Sequence, residues 1–354
     1  MPDASQYTAI VRAQTNLTTT AGTNSNKFRV PPPYAVYFPL YKLVSNPLGW
    51  KKPPVPSPTP TPASWVERNY TQGWYSIASS ADGTKLAACV ASGRIWTSTD
   101  SGATWTQQTS GVPSSIWQSI ASSADGTKLV ACSFGGGYVY TSSNSGISWT
   151  RRDNVGSRDW TSVASSSDGT KLIACANFSG GVIRSINSGV SWTMMGLVTS
   201  KLWQCVASSA DGVVLLAGIY GEYVWRSTNS GSTWTPTPLP LGAWTSLACS
   251  SDGTKLAACG ENTNIWTSSD SGATWIERTG SGSRRWYSIA SSADGTKLAA
   301  CVGSGGFVYI STNSGSTWTQ QTTPGSKNWR CIASSADGTK LVAGISNGKL
   351  WTYA

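Results

Sequence analysis

Residues 74–105 read WYSIASSADGTKLAACVASGRIWTSTDSGATW, and this stretch decides the fold because the chain repeats it. It carries two landmarks. The first is an Asp-Gly turn that follows a Trp by eight residues, at Asp82, Asp125, Asp168, Asp211, Asp252, Asp294 and Asp337. The intervals are 43, 43, 43, 41, 42 and 43 residues, and the paired Trp are Trp74, Trp117, Trp160, Trp203, Trp244, Trp286 and Trp329. The second landmark is S-x-D/N-S-G-x-T/S-W, which ends at Trp105, Trp149, Trp192, Trp234, Trp275 and Trp318. A period near 42 with four strand-length apolar runs marks a β-propeller blade.

In the first unit the strands are expected at Trp74–Ser79, Lys85–Val90, Arg94–Ser98 and Thr104–Gln108. Asp82-Gly83 is a strong hairpin signal, since both turn residues tolerate positive φ. The last unit, Trp329–Ala354, stops after its third strand. Ser64–Arg68 reads as the missing fourth strand and is expected to close the last blade, leaving no open edge. The expectation is therefore an all-β, seven-bladed β-propeller of four-stranded antiparallel blades over residues 63–354. It is preceded by an extended, Pro-rich arm over residues 1–62.

Composition agrees and narrows the chemistry. Of 354 residues only 12% are charged, 19 are Trp and none is His, so the commonest general base and metal ligand is missing. No C-x-x-C pair or dense carboxylate loop replaces it, and neither metal nor cofactor is expected. The net charge of +10 is spread over arm and repeats, without the concentrated stripe typical of nucleic-acid binding. The N-terminus carries neither a secretory signal nor a membrane span.

Eight cysteines raise the question of disulfides. Pairing across the Asp-Gly turns sets Ser76, Ser119, Ser162, Ser246 and Ser288 opposite Cys89, Cys132, Cys175, Cys259 and Cys301. In the other two units Cys205 faces Gly218 and Cys331 faces Gly344. No two cysteines oppose one another, so packing by volume is expected, with no disulfides, as suits a reducing compartment.

The S-x-D-x-G-x-T-W pattern resembles the Asp-box, or bacterial neuraminidase, repeat over about four-fifths of the chain. It departs in that Asp holds the box only at Asp100 and Asp270, while Asn144, Asn187, Asn229 and Asn313 hold it elsewhere; Asn makes a similar turn bond. The Gly-His and Trp-Asp pairs of WD-type blades are missing. The family resemblance implies a propeller, and its members range from sialidases to sorting receptors and a photosystem assembly factor, so fold does not decide function.

Glycosidases of that resemblance need paired carboxylates. Setting aside the turn and box aspartates, only Asp3, Glu67, Asp153, Asp159, Glu222, Glu261 and Glu277 remain, scattered among units. No enzymatic activity is expected. Recognition is expected on the face that carries the loops that vary, RRDNVGSRD, MMGLVTSK, PTPLPLGA, ERTGSGSRR, NFSGG, YGE and ENTN. Its basic residues are Arg151, Arg152, Arg158, Lys201, Arg284, Arg285, Lys327 and Arg330. The repeated Trp are expected in the core between blades. A glycan-binding propeller is the alternative, and it would need those rings exposed.

Asp3 and Gln6 resemble a capping box, with Tyr7, Ile10, Val11 and Leu17 on one face of a short helix over 4–16. Tyr34, Tyr37, Phe38 and Tyr41 form an aromatic docking stretch, and residues 53–62 a semi-rigid spacer. Residues 3–14, DASQYTAIVRAQ, are similar to N-terminal segments of particle proteins of large DNA viruses of protists. That similarity implies capsid proteins as partners and a virion assembled in the host cytoplasm. The resulting expectation is a structural or interaction protein whose arm docks into a large assembly; an assembly factor is a further alternative.

Overall fold

The structure, a computed structural model, describes residues 63–178, 180–197 and 200–354. The chain divides into two units, Met1–Thr61 and Pro62–Ala354, and the second carries everything that follows. The expected helix over 4–16, the docking residues Tyr7, Ile10, Leu17, Tyr34, Tyr37, Phe38 and Tyr41, and the spacer over 53–62 lie outside the described residues.

Among the described residues the only helical pieces are two short 3-10 turns, Asp153–Val155 and Thr279–Ser281. Strands make up the rest of the regular structure, in antiparallel four-stranded sheets. The first unit runs Trp74–Ser79, Leu86–Val90, Ile95–Ser98 and Thr106–Gln107, within two residues of the sequence expectation at each end. Trp65–Gln72 pairs with Gly348–Tyr353, with Trp65 opposite Tyr353 and Glu67 opposite Trp351, so the start of the unit supplies the outer strand of its last sheet. One sheet is eight-stranded. There Leu215–Glu222 runs long, and its tail pairs with the head of the next unit's strand, Tyr220 opposite Ala243 and Glu222 opposite Gly242. Elsewhere the same junction is a single bridge, such as Gly93 with Ser115 or Gly306 with Lys327.

Each Asp-Gly turn is wired alike. The Ser80 hydroxyl donates to Asp82 Oδ1 at 2.6 Å, the Thr84 N–H to the same oxygen at 3.0 Å, and the Thr84 hydroxyl to Oδ2 at 2.7 Å. These donors, the serine hydroxyl first, hold Asp82, Asp125, Asp168 and Asp337 at about 2, against an ordinary 3.8. The second turn uses the same device. Asp100 Oδ1 accepts the Thr104 N–H and Oδ2 the Thr104 hydroxyl, at 2.8 and 2.6 Å. Where Asn144 stands instead, its amide donates to the Ser148 hydroxyl at 2.9 Å, so the hydrogen bond reverses and the turn survives. Asp-Gly turns and second turns share one end of the sheets, joined by bonds such as Ser101 N–H to Thr84 O, 2.9 Å. The loops that vary lie at the other end.

The sheets hold one another in a circuit. At the turn end, backbone N–H groups donate from Ala81 to Ala124, Ala124 to Ser167, Ser167 to Ala210, Ala210 to Ser251, Ser251 to Ala293, Ala293 to Ala336, and Ala336 back to Ala81, all at 2.7–2.9 Å. Beside this circuit the turn lysines reach across, Lys85 Nζ donating to Asp125 O at 3.0 Å and Lys340 Nζ to Asp82 O at 2.9 Å. Val214 replaces the lysine in the fourth unit and packs over Gly253 instead.

The core lies between sheets rather than within them. Trp117, Ile120 and Leu129 of one sheet pack on Ala87, Cys89 and Ile95 of the sheet before it. Sandwiched on both faces, second strands such as Leu86–Val90 are buried at every residue, which is why they read as unbroken apolar runs. The innermost Trp are 0–1% exposed. The register of Ser against Cys is the one expected, and in the two exceptions an added Cβ on Gly218 or Gly344 would sit 2.7 Å from the facing Cys Sγ. The eight cysteines are free thiols. Burial pushes Cys175, Cys259 and Cys331 up to about 12, which leaves them unreactive.

Two predictions follow from the packing and the turns. Gly218→Cys alone overpacks its site and costs about 1–3 kcal/mol. Adding Cys205→Ser recreates the pair found in the five other sheets and recovers most of the loss, as a urea-unfolding double-mutant cycle will read. The turn carboxylates titrate lower folded than unfolded, so as pH falls the unfolded chain takes up protons first. Stability is thus flat above about pH 4 and falls between pH 4 and 2, where Asp168→Asn makes urea midpoints less pH-dependent than those of the parent.

Candidate functional site

Every innermost strand opens with the same irregularity. The register slips between Trp74 and Ser76, and at the matching place in the six other strands. The residue between them is a β-bulge, a device that re-aims one side chain out of the ladder. The bulge residues are Tyr75, Gln118, Thr161, Gln204, Thr245, Tyr287 and Arg330, and all seven line one cavity of about 270 Å³. Around them the motif W-x-S/C-I/V/L-A-S/C hardly changes.

The next residue inward is structural. The hydroxyls of Ser76, Ser119, Ser162, Ser246 and Ser288 accept N–H groups of Ile120, Val163, Val206, Ile289 and Ile332 in the following sheet, at 3.1–3.3 Å. Two bulge residues serve the same purpose. Thr161 donates to Trp203 O at 2.7 Å and Thr245 to Trp286 O at 2.8 Å. That leaves two tyrosines, two glutamines and one arginine facing the cavity.

Three side chains from the loop end complete the mouth. Glu261 Oε1 accepts from Arg285 at 3.1–3.2 Å, and Glu261 Oε2 accepts the Tyr220 hydroxyl at 3.3 Å. The carboxylate raises the Tyr220 phenol above its ordinary value. Arg285 also covers the Tyr287 ring at 5.3 Å. The Arg330 guanidinium lies 3.9 Å from the Tyr75 ring centre and 4.6 Å from that of Tyr287, a cation between two aromatic faces. Gly303 makes room for this: an added Cβ would fall 1.9 Å from the Tyr287 ring.

Of the eight basic residues expected on this face, Arg285 and Arg330 come together at the cavity. The others are used locally. Arg151 pairs with Asp153 at 2.5 Å and Lys201 with Glu222 at 2.7 Å. Arg152 donates to the Thr141 hydroxyl, Arg158 to Val155 O and Arg284 to Ser281 O. Lys327 sits over the Trp351 ring. The Trp that precede the Asp-Gly turns belong to the core at 0–1% exposed, as expected; of the second set Trp105 and Trp149 are buried, while Trp192, Trp234, Trp275 and Trp318 are partly buried. The acids left over in the sequence stay apart. Asp159 accepts the N–H groups of Gly135 and Gly136, Glu277 meets Asn264, and Glu67 meets Lys349. Glu261 is the single carboxylate lining the cavity. Among the described residues no three of Cys, Asp or Glu converge as a metal site, and no helix is long and apolar enough to cross a membrane.

Sequence reading missed Tyr75, Gln118, Gln204, Tyr220 and Tyr287. For all but Tyr220 the signal was present: across seven copies, the residue after the Trp is the one position of its motif filled by Tyr, Gln, Thr or Arg without preference.

No family model matches the chain, and no curated protein matches it in sequence. Solved structures do match in shape. The xyloglucanase from Xanthomonas campestris superposes with a TM-score of 0.64 at 17% identity, covering 82% of this chain and 53% of that one. This chain therefore spans about half the length of that enzyme. YCF48 bound to D1 peptide gives 0.63 at 15% identity, covering 84% and 99%. The Cps50 (Swd1) β-propeller domain of Myceliophteria thermophila gives 0.64 at 15%, covering 82% and 99%. Glycoside hydrolases and protein-binding propellers stand side by side in this set. At these identities the likeness establishes fold alone: the described unit is a β-propeller.

The mouth depends on Gly303. Gly303→Ala displaces the Tyr287 ring and lowers stability by about 1–3 kcal/mol in urea unfolding. Combining it with Tyr287→Thr, a residue already used at two bulges, restores most of the loss.

Proposed function

We propose that this protein is a non-enzymatic interaction module: a seven-bladed propeller of Asp-box-like repeats, joined through its arm to a larger assembly. One observation carries the reading. A scaffold held nearly constant through seven copies varies at the bulge residues and loops of one end, the pattern of a surface shaped for recognition. The seven-fold count is supported by the hydrogen-bond circuit that returns from Ala336 to Ala81. The absence of an enzymatic role is supported by the lone, already engaged carboxylate in the cavity, where glycoside hydrolysis needs two. A virus capsid is the assembly suggested by residues 3–14, and YCF48, solved with a peptide, supports a protein partner for a propeller of this length.

The test compares the full chain with residues 63–354, a unit with its own core, by co-sedimentation with the native assembly. The full chain is expected to co-sediment and the truncated unit to stay in solution. Equal retention of both would refute the anchoring role of the arm.

A further inference from the structure

Arg330 stands apart from the other arginines. Each of the ten others among the described residues donates to a carbonyl, hydroxyl or carboxylate. Arg330 makes no hydrogen bond or ion pair there, although it is half-buried in the cavity. Its face is taken by Tyr75 and Tyr287, which fixes the plane of the guanidinium and leaves its N–H edge unused. That edge is open to the cavity, and a planar guanidinium fork held in place there is pre-set to accept a bidentate carboxylate. Beside it Arg285 balances Glu261, and Arg330 remains as uncompensated positive charge.

The surface next to the cavity is largely apolar, around the Lys201–Glu222 ion pair. Phe178, Leu202, Tyr220, Tyr223 and Leu241 are 37–61% exposed. They are neighbours: the Phe178 N–H bonds Lys201 O, the Tyr220 N–H bonds Leu202 O, the Ile219 N–H bonds Tyr223 O, and Glu222 pairs with Gly242. Tyr220 belongs to this patch and to the cavity wall. Large apolar side chains clustered on one sector of a monomer surface mark a contact site.

We infer that this end of the propeller docks an extended protein segment that places a carboxylate on Arg330 and lays apolar side chains across Phe178, Leu202, Tyr223 and Leu241. The charge of the cavity selects an acidic residue, and the patch selects its apolar neighbours. The arm of this chain is the wrong occupant by charge, with six Lys/Arg against one acid. The inference rests on the interaction-module reading, but the two fail separately, since truncation tests retention in an assembly and the following titration tests this surface alone.

The probe is a fluorescein-labelled peptide alternating Glu with Phe and Leu, with twins carrying Gln or Lys for Glu, titrated against the full chain by anisotropy. The Glu peptide is expected to bind at least about tenfold more tightly than either twin. Arg330→Gln is expected to remove that preference, Arg330→Lys to keep part of it, and Arg151→Gln to leave it intact. If Arg330→Gln does not fold, Gln118→Glu serves instead, and the negative charge it adds to the cavity is expected to abolish binding. Equal binding of all three peptides, or undiminished preference in Arg330→Gln, overturns the proposal. So does a peptide bound by residues 63–354 but not by the full chain, because the arm would then be the occupant.

Discussion

The circuit of backbone hydrogen bonds from Ala81 through Ala336 and back to Ala81 is the constraint on which the rest of the structure depends. A four-stranded sheet of this composition cannot bury its faces alone, and its strongest apolar strands are buried on both sides only when flanked. The circuit fixes each sheet's distance and angle to the next at the turn end. The Ser hydroxyls of the innermost strands repeat the linkage one layer up, and the indole stack fills the space outside them. Closure then removes the two exposed edges that an open array would present. That is why the first described strand, Trp65–Gln72, is spent on the last sheet.

With both ends of each inner strand tied, one residue per strand is released from ladder duty. The bulge after the Trp turns that residue toward the axis, where its identity costs the scaffold nothing. Thr161 and Thr245 are used for further linkage, whereas Tyr75, Tyr287 and Arg330 build the mouth. The fold is shared with a xyloglucanase and with YCF48 bound to D1 peptide, so it does not by itself decide function.

Much of this was legible in the sequence. The Asp-Gly landmarks set the strand boundaries and the Ser-against-Cys register, although the turn is not the two-residue hairpin that Asp-Gly suggests: Ser80 bonds Lys85 across a longer loop, and of the pair only Gly83 takes positive φ. The unmatched Ser64–Arg68 and the truncated last unit pointed to each other by arithmetic. What stayed hidden is what depends on neighbours from other sheets. A bulge leaves no mark in a single copy, and the same arginine reads alike whether it meets a carbonyl, as Arg284 does, or two aromatic rings, as Arg330 does. The eight basic residues looked equivalent in the sequence, and local partners absorbed six of them. Asn at four second turns looked like a departure, yet the reversed hydrogen bond at Asn144 shows that geometry, not charge, is what the position requires.

Recognition by the varied end of a closed frame is the central claim. Hydrogen–deuterium exchange on the full chain, free and in its native complex, tests it most directly. The account predicts that protection gained on binding concentrates on the loop-end segments around Tyr75, Tyr220, Leu241, Arg285 and Arg330, with the Asp-Gly turns unchanged. Protection confined to the Asp-Gly turns would contradict it.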